Sequence, residues 1–208
     1  MLRLLLISAA LAAAPASASP AKPLILAFGD SLTAGYGLDP GLGFAAQLQD
    51  TLRRHGIAAR VADGGVSGDT SAAGRARLAW TLDGLGAKPD LVIVELGAND
   101  MLRALDPAET ERNLDAILTE LERRKARVLF VGMRGAPNFD PAYVKRFEAI
   151  YPRLAQRHRA AFYPFFMEGV ATITGMVQPD GMHPTFKGLK AIVASITPLV
   201  KSELAASR

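Results

Sequence analysis

The fold is decided by the stretch Leu24-Ile25-Leu26-Ala27-Phe28-Gly29-Asp30-Ser31. Its apolar run is followed by turn residues and then by a serine hydroxyl. The continuous apolar run 24–28 predicts a strand buried on both faces, which is typical of parallel sheets. Gly29 lets the chain turn sharply, and Ser31 then stands at the start of a predicted helical turn. Ser31 is therefore either the N-cap of that turn or a reactive group at a strand end, where such sheets place their sites.

Short apolar runs alternate with longer amphipathic stretches along the rest of the chain. The predicted strands after the first one cover 57–62, 91–96, 128–131 and 161–163. The predicted helices, with apolar residues at helical spacing, cover 44–55, 70–85, 107–124, 141–158 and 184–204. This alternation implies right-handed crossovers between parallel strands that are covered by helices on both faces. The predicted fold class is α/β, a three-layer α/β/α sandwich with a five-stranded parallel sheet.

Residues 1–18 have the pattern of a signal peptide. Arg3 supplies a positive charge, residues 4–14 are apolar, and Ala16-Ser17-Ala18 offers small residues for cleavage after Ala18. The apolar run is shorter than the roughly 20 residues that span a bilayer, which argues against an uncleaved anchor. The pattern predicts a periplasmic or secreted protein whose single domain covers residues 19–208.

Composition narrows the class of protein further. The 208 residues carry a formal charge of +4, and half of them are hydrophobic, as expected for a globular domain. Lys and Arg are spread along the chain near acidic residues, which argues against nucleic-acid binding and leaves at most a peripheral contact with membranes. The chain has no cysteine, so disulfides, a cysteine nucleophile and thiolate metal sites are excluded. The oligomeric state is left open.

Chemically useful groups follow four of the predicted strands. They lie in segments 29–33, 64–70, 97–100 and 180–184. Because the carboxyl ends of parallel strands meet at one edge of the sheet, we expect these segments to converge there. Together they supply a hydroxyl, a glycine amide, a carboxamide, a carboxylate and an imidazole, which is a complete set for acyl transfer.

His183 is the histidine that we predict to act as a general base. The other two histidines, His55 and His158, have arginine neighbours and are expected at exposed helix C-termini. Asp180 precedes His183 by three residues, so it can accept a hydrogen bond from the imidazole and stabilise the imidazolium that forms when Ser31 loses its proton. Asp180 is alternatively a turn residue, and the two interpretations are compatible.

The predicted oxyanion hole combines the backbone amides of Ser31 and Gly68 with the side chain of Asn99. Taken singly, Gly68 can be a loop glycine and Asn99 a turn residue. Acyl pockets are largely apolar, and several apolar residues near the strand ends are candidates to line one. These candidates, each of which can instead be ordinary packing, are Met101, Leu102, Pro137, Phe139 and Met176.

Four segments resemble the sequence blocks of the GDSL/SGNH hydrolase family: 29–32, 66–71, 94–100 and 180–184. They look most like the bacterial periplasmic branch of acyl-CoA thioesterase I, lysophospholipase L1 and arylesterases. The resemblance covers nearly the whole chain after residue 18 and implies a flavodoxin-like fold with strand order 2-1-3-4-5. It also implies a catalytic triad, oxyanion donors, and neither a metal nor an organic cofactor. The residues concerned are Ser31, Asp180 and His183 for the triad and Ser31, Gly68 and Asn99 for the oxyanion.

The implied activity is hydrolysis of carboxylic esters, and of thioesters, of the arylesterase, lysophospholipase or acyl thioesterase type. The implied substrate is a small acyl ester or a lysophospholipid. A carbohydrate acetylesterase or acyltransferase on the same scaffold is an alternative, although Trp80, the one tryptophan, falls in a predicted helix. A non-catalytic binding module is a further alternative, but a binder has no need of a general base.

Two features depart from the family pattern. Asp63 stands where relatives commonly carry an asparagine, and a carboxylate cannot donate a hydrogen bond as an amide does. The loop 133–138 is richer in glycine than in many relatives. We expect the first feature to affect how the loop that carries Gly68 is held, and the second to affect the preferred acyl-chain length.

Overall fold

The structure of the protein is a computed structural model that describes residues 22–206. The predicted signal peptide, residues 1–18, lies outside the described residues. Five parallel strands form one sheet in the order β2-β1-β3-β4-β5. The strands are β1 (Leu24–Gly29), β2 (Arg60–Gly65), β3 (Leu91–Glu95), β4 (Val128–Val131) and β5 (Ala161–Tyr163). The predicted fold class and strand order are both confirmed.

Eight helices accompany the sheet within residues 22–206. They are α1 (Ser31–Ala34), α2 (Phe44–Arg54), α3 (Ser71–Asp83), α4 (Ala98–Leu102), α5 (Pro107–Arg123), α6 (Pro141–Glu148), α7 (Ile150–Arg157) and α8 (Phe186–Ala205). Since the strand order reverses direction after β2, right-handed crossovers place α2 on one face and α3, α5 and α7 on the other. The last helix, α8, packs beside α2. None of these helices is long and apolar enough to cross a membrane.

The three central strands form the middle layer of the core. Every residue of β1, β3 and β4 is buried, which explains why their sequences are apolar runs up to the strand ends. The edge strand β2 pairs only with β1 and is mostly half-buried or exposed. Because an edge strand tolerates polar residues, β2 extends through Asp63 to Gly65, three residues beyond the predicted end of that strand.

Two predicted helices have different bounds in the structure. The stretch predicted as one helix, 141–158, forms two, since α6 ends at Glu148 and α7 begins at Ile150. Pro152 explains the break, because its ring lacks an N–H and clashes with the carbonyl four residues earlier, which is that of Glu148. The last helix begins at Phe186 rather than at residue 184, and the Thr185 hydroxyl caps it by accepting from the Gly188 amide.

Candidate active site

The turn after β1 presents the Ser31 hydroxyl at the carboxyl edge of the sheet. Gly29 is required there, because a Cβ at this position would lie 2.6 Å from the Glu95 carbonyl oxygen. Asp30 caps α1 by accepting a hydrogen bond of 3.0 Å from the Leu32 amide. The cap is therefore Asp30 and not Ser31, so the alternative role of Ser31 as an N-cap is wrong and its hydroxyl is left for another partner.

The partner of Ser31 is His183, which lies 152 residues further along the chain. The Ser31 Oγ is 2.9 Å from His183 Nε2, and His183 Nδ1 is 2.6 Å from Asp180 Oδ2. The backbone carbonyl of His183 accepts a hydrogen bond of 2.7 Å from the Gln178 amide, which holds the loop in place. The structure thus brings the three predicted triad residues into one hydrogen-bonded chain.

The Asp180 carboxylate is fixed by backbone amides as well as by the imidazole. Its Oδ1 accepts from the amides of Met182 and His183 at 2.9 and 3.0 Å. Partial burial raises the pKa of Asp180, but these hydrogen bonds and the imidazole outweigh it and bring that pKa to about 2. Asp180 therefore remains ionised and acceptor-only at neutral pH.

Two backbone amides near Ser31 are free to receive a negative charge. The N–H groups of Ser31 and Gly68 donate no hydrogen bond to any group within residues 22–206. Gly68 has φ +88, a left-handed conformation that favours glycine. The Gly68 carbonyl accepts a hydrogen bond of 2.9 Å from the Arg103 guanidinium, which restrains this loop.

The Asn99 side chain is differently placed. Its Nδ2 donates to Asp30 Oδ2 at 3.2 Å and to the Asp69 carbonyl at 3.0 Å, so both amide hydrogens are engaged. Donation to a third group requires that one of these bonds be shared or exchanged. The longer bond, to Asp30, is the weaker of the two by distance.

Arg77 links the loop after β2 to the turn after β1. Its Nε lies 2.6 Å from Asp69 Oδ2, and its guanidinium donates to the Gly29 carbonyl at 2.9 Å. The same group lies over the Phe28 ring, 4.1 Å from the centroid. No sequence signal points to Arg77, since its spacing on α3 does not distinguish it from a solvated helix arginine.

The Asp63 side chain accepts a hydrogen bond at the end of its own strand, β2. Its Oδ1 accepts a hydrogen bond of 2.9 Å from the Gly65 amide, and burial raises its pKa. The carboxylate thus supplies a local acceptor next to the loop that carries Gly68.

Two carboxyl groups, Asp30 and Glu95, are buried beneath the site. Burial raises the pKa of Asp30 to about 6. Burial, and then the charge of Asp30, raise the pKa of Glu95 well above its usual range, although Thr33 donates a hydrogen bond of 2.7 Å to it. The sequence gives no indication of this role for Glu95. It shows only that a charged residue ends an apolar strand, where burial is expected.

These raised pKa values predict an unusual dependence of stability on pH. Between about pH 4 and pH 6 the unfolded chain loses protons that the folded chain keeps, so the free energy of unfolding should fall as pH rises. We expect a loss of roughly 2 kcal/mol across this window from Asp30, and a continued fall at higher pH from Glu95. Urea unfolding at a series of pH values measures it.

Glu95→Gln provides the comparison for this prediction. The variant removes the group whose raised pKa causes the fall at higher pH, so above about pH 6 its unfolding free energy should depend less steeply on pH than that of the wild type. Parallel profiles of the wild type and Glu95→Gln above that pH would show that Glu95 does not set the slope there.

A cleft of about 740 Å³ opens beside Ser31, and apolar side chains line most of it. Three of the five predicted lining residues, Met101, Leu102 and Pro137, lie in its wall. The other two do not line it. The Phe139 ring stacks on that of Tyr143, with 5.6 Å between the centroids, and the Met176 carbonyl accepts a hydrogen bond from the Thr185 amide just before α8. The spacing in sequence from the strand ends did not show which way these loops turn.

The loop 133–138 contains a single glycine, Gly135, and its residues 133–137 form one wall of the cleft with residues 165–172. Arg134 joins the two segments, since it pairs with Glu168 at 2.9 Å and lies 4.8 Å from the centroid of the Phe165 ring. The Glu148 carboxylate accepts from the Gly135 amide at 3.0 Å. The loop is therefore tied at two points, by Arg134 and by the Gly135 amide.

The other two histidines lie in different surroundings. His55 is exposed at the end of α2, as predicted. His158 is not exposed, because its side chain is 8% accessible and sits between Asp115 at 2.8 Å and Glu122 at 3.0 Å. Both carboxylates come from α5, which packs on α7, so no local sequence pattern could show them.

Within residues 22–206 no group of three or more histidine, aspartate or glutamate side chains is placed to hold a metal ion.

A parallel α/β sheet with a hydrogen-bonded serine, histidine and aspartate at its carboxyl edge defines the class of serine hydrolases. The model of the GDSL-like Lipase/Acylhydrolase family matches residues 27–191, and the chain belongs to this family.

Individual relatives agree with this assignment. Esterase TesA of Pseudomonas aeruginosa is 38% identical over 200 residues, which cover 96% of this chain and 98% of the relative. An arylesterase of Vibrio mimicus is 39% identical over 168 residues, or 81% and 83% of the two chains. The crystal structure of AlinE4, an SGNH-hydrolase family esterase, has 48% identity and a TM-score of 0.76, and the match covers 88% of this chain and 97% of that one.

Proposed function

We propose that the protein is a serine esterase that hydrolyses carboxylic esters, and thioesters, through an acyl-Ser31 intermediate. The observation that carries the proposal is the hydrogen-bonded chain from Ser31 through His183 to Asp180, with distances of 2.9 and 2.6 Å. Hydrolytic activity itself follows from membership of the family, whose relatives include an esterase and an arylesterase. The roles of the individual residues are our assignment.

In the first step, Ser31 Oγ attacks the ester carbonyl carbon while His183 Nε2 takes the hydroxyl proton. Asp180 accepts from Nδ1–H, so the other ring nitrogen is the basic one, and its charge stabilises the imidazolium. The carbon–oxygen bond to the leaving group then breaks, and the departing oxygen receives the proton from His183. Water repeats the sequence on the acyl-enzyme and releases the acid and free Ser31.

The negative charge on the carbonyl oxygen is stabilised by the unpaired amides of Ser31 and Gly68. Asn99 contributes a third donor by moving one amide hydrogen from Asp30 to the oxyanion, while its bond to the Asp69 carbonyl keeps the side chain oriented. The two backbone amides need little reorganisation at the moment of reaction, whereas Asn99 must exchange one hydrogen bond.

Removal of the third donor gives a measurable prediction. Asn99→Ala should lower kcat about 100- to 1,000-fold and leave KM little changed, because the donor acts mainly on the oxyanion. Initial rates with p-nitrophenyl acetate measure both parameters. Asn113→Ala is the matched control, since Asn113 donates to Ser71 away from the cleft. Equal losses in the two variants would contradict the role of Asn99.

The proposed substrates are small acyl esters, acyl thioesters and lysophospholipids. The apolar wall and the volume of about 740 Å³ suit an acyl chain better than a sugar. Trp80 supplies no carbohydrate platform at the site, because it lies on α3, is 79% exposed and does not line the cleft. Rates across p-nitrophenyl esters of increasing length, with lysophosphatidylcholine as a further substrate, rank these classes.

Covalent labelling tests the proposed nucleophile. A fluorophosphonate should label the protein in a one-to-one ratio, abolish ester hydrolysis, and modify the peptide that contains Ser31. A non-catalytic module would remain unlabelled. Modification of another serine would overturn the assignment of Ser31 while leaving the esterase class intact.

The location proposed is the periplasm or the extracellular medium, on the basis of the signal-like residues 1–18. Mass spectrometry of the protein recovered from these compartments tests this. We expect a mature chain that begins at Ser19, after cleavage behind Ala18.

A further inference from the structure

We propose that Tyr36 forms a leaving-group site beside His183, and that this site favours esters whose alcohol carries an aromatic ring. The inference rests on the proposed esterase function and extends it to the alcohol side of the substrate. It is carried by the position of one exposed aromatic ring relative to the imidazole.

The Tyr36 backbone is hydrogen-bonded both to the turn that carries Ser31 and to the loop that carries His183. Its amide donates to the Ser31 carbonyl at 3.0 Å, and its carbonyl accepts from Gln178 Nε2 at 2.7 Å. The backbone amide of Gln178 in turn donates to the His183 carbonyl at 2.7 Å. Gly37 next to it has φ +75 and lies directly against the Gln178 side chain, so a larger residue there would force the clamp apart.

The side chain, in contrast to the backbone, is presented to the cleft. The Tyr36 ring centroid lies 4.6 Å from that of His183, with 38° between the planes, and the residue is 55% exposed. Its hydroxyl makes no hydrogen bond with any group in residues 22–206, so the ring is not held there by its polar end. A large aromatic surface thus stands open at the wall of the cleft.

The reaction places the leaving group next to this ring. As the bond between Ser31 Oγ and the carbonyl carbon forms, the bond from that carbon to the alcohol oxygen breaks, and this oxygen takes the proton that His183 Nε2 received from Ser31. The alcohol must therefore depart from the imidazole side, whereas the amides of Ser31 and Gly68 face the oxyanion. Tyr36 is the aromatic residue that contacts the imidazole among those lining the cleft.

An aromatic alcohol gains from this arrangement because two rings interact favourably in offset or tilted geometries. The wall formed by residues 133–137 offers no aromatic ring, and Phe165, the other aromatic residue that lines the cleft, lies 4.8 Å from the Arg134 guanidinium. The aromatic surface beside His183 is therefore that of Tyr36.

The experiment compares benzyl acetate with cyclohexylmethyl acetate, which have the same acyl group and leaving groups of similar size. Both form the same acetyl-Ser31, so their ratio of kcat/KM reports the leaving-group side alone. We expect the wild type to prefer the benzyl ester about 3- to 10-fold, Tyr36→Phe to retain that ratio, and Tyr36→Leu to bring it close to one.

Trp80→Leu is the matched control, because it removes an exposed aromatic ring from α3, outside the cleft, and should leave the ratio unchanged. A wild type without benzyl preference, or a preference that survives in Tyr36→Leu, overturns the proposal. Equal loss of both activities in Tyr36→Leu also overturns it, since Tyr36 would then serve only to support His183.

Two further measurements keep the outcomes distinct. Benzyl alcohol should inhibit the wild type at a concentration about 3- to 10-fold lower than cyclohexylmethanol, which tests the site even where Tyr36→Leu fails to fold. Equal inhibition by the two alcohols overturns the leaving-group site. Hydrolysis of p-nitrophenyl acetate that depends on Ser31 tests the esterase function separately, so failure of that reaction is distinguishable from failure of the site.

Discussion

Ser31→Ala is expected to lower kcat for p-nitrophenyl acetate by about 10⁴- to 10⁶-fold, which is the loss when the nucleophile of a serine triad is removed. The reason is geometric, since Ser31 is the hydroxyl within 2.9 Å of the His183 Nε2. Without it the acyl-enzyme cannot form, and only the oxyanion donors and substrate binding remain to assist water. Steady-state rates and fluorophosphonate labelling should be lost together.

Folding should be retained in this variant, because the Ser31 hydroxyl is half-buried and Asp30 supplies the cap of α1. Urea unfolding and circular dichroism establish that point. Ser202→Ala, an exposed serine on α8, is the control and should retain wild-type rates. Wild-type activity in Ser31→Ala would end the assignment of the nucleophile.

Asp180→Asn is expected to cost about 10⁴-fold in kcat, although the side chain keeps its size. The two backbone amides that donate to Oδ1 require an oxygen at that position. An asparagine must therefore turn its NH₂ group toward His183 Nδ1, where the carboxylate accepted at 2.6 Å. The imidazole then carries its proton on Nε2, and it can no longer take the proton of Ser31.

The ionisation of Asp180 adds a pH signature to this prediction. With a pKa of about 2, the wild-type carboxylate does not titrate in the range where the rate is measured, so it should not produce the acid limb of the pH–rate profile. Asp50→Asn, at a half-exposed position on α2, controls for the loss of a surface charge. A rate for Asp180→Asn within tenfold of wild type would contradict the tautomer argument.

Much of the fold was predictable because buried strands have a local signature. Apolar runs identified β1, β3 and β4, and the rule that parallel sheets carry their sites at carboxyl ends located the site. The errors arose where that signature is weak. The edge strand β2 is not apolar throughout, and the break between α6 and α7 depends on the clash of Pro152 with the preceding turn.

The sequence also showed which residue types were available at the strand ends, but it could not show their contacts. Phe139 and Met176 lie near the site in sequence and outside the cleft in space. His158 was expected among cations and is instead held by two carboxylates of α5. Such partners come from distant parts of the chain, and packing of helices decides them.

What the sequence determined by itself is the order of strands and helices, the α/β class and the set of groups for acyl transfer. Local periodicity and chain direction suffice for these features. Only the tertiary structure decided that Ser31 meets His183 across 152 residues, that both amide hydrogens of Asn99 are engaged, and that the Tyr36 ring lies against the imidazole. These contacts depend on how loops from different strands pack at one sheet edge, and no local pattern encodes distances between side chains so far apart in the chain.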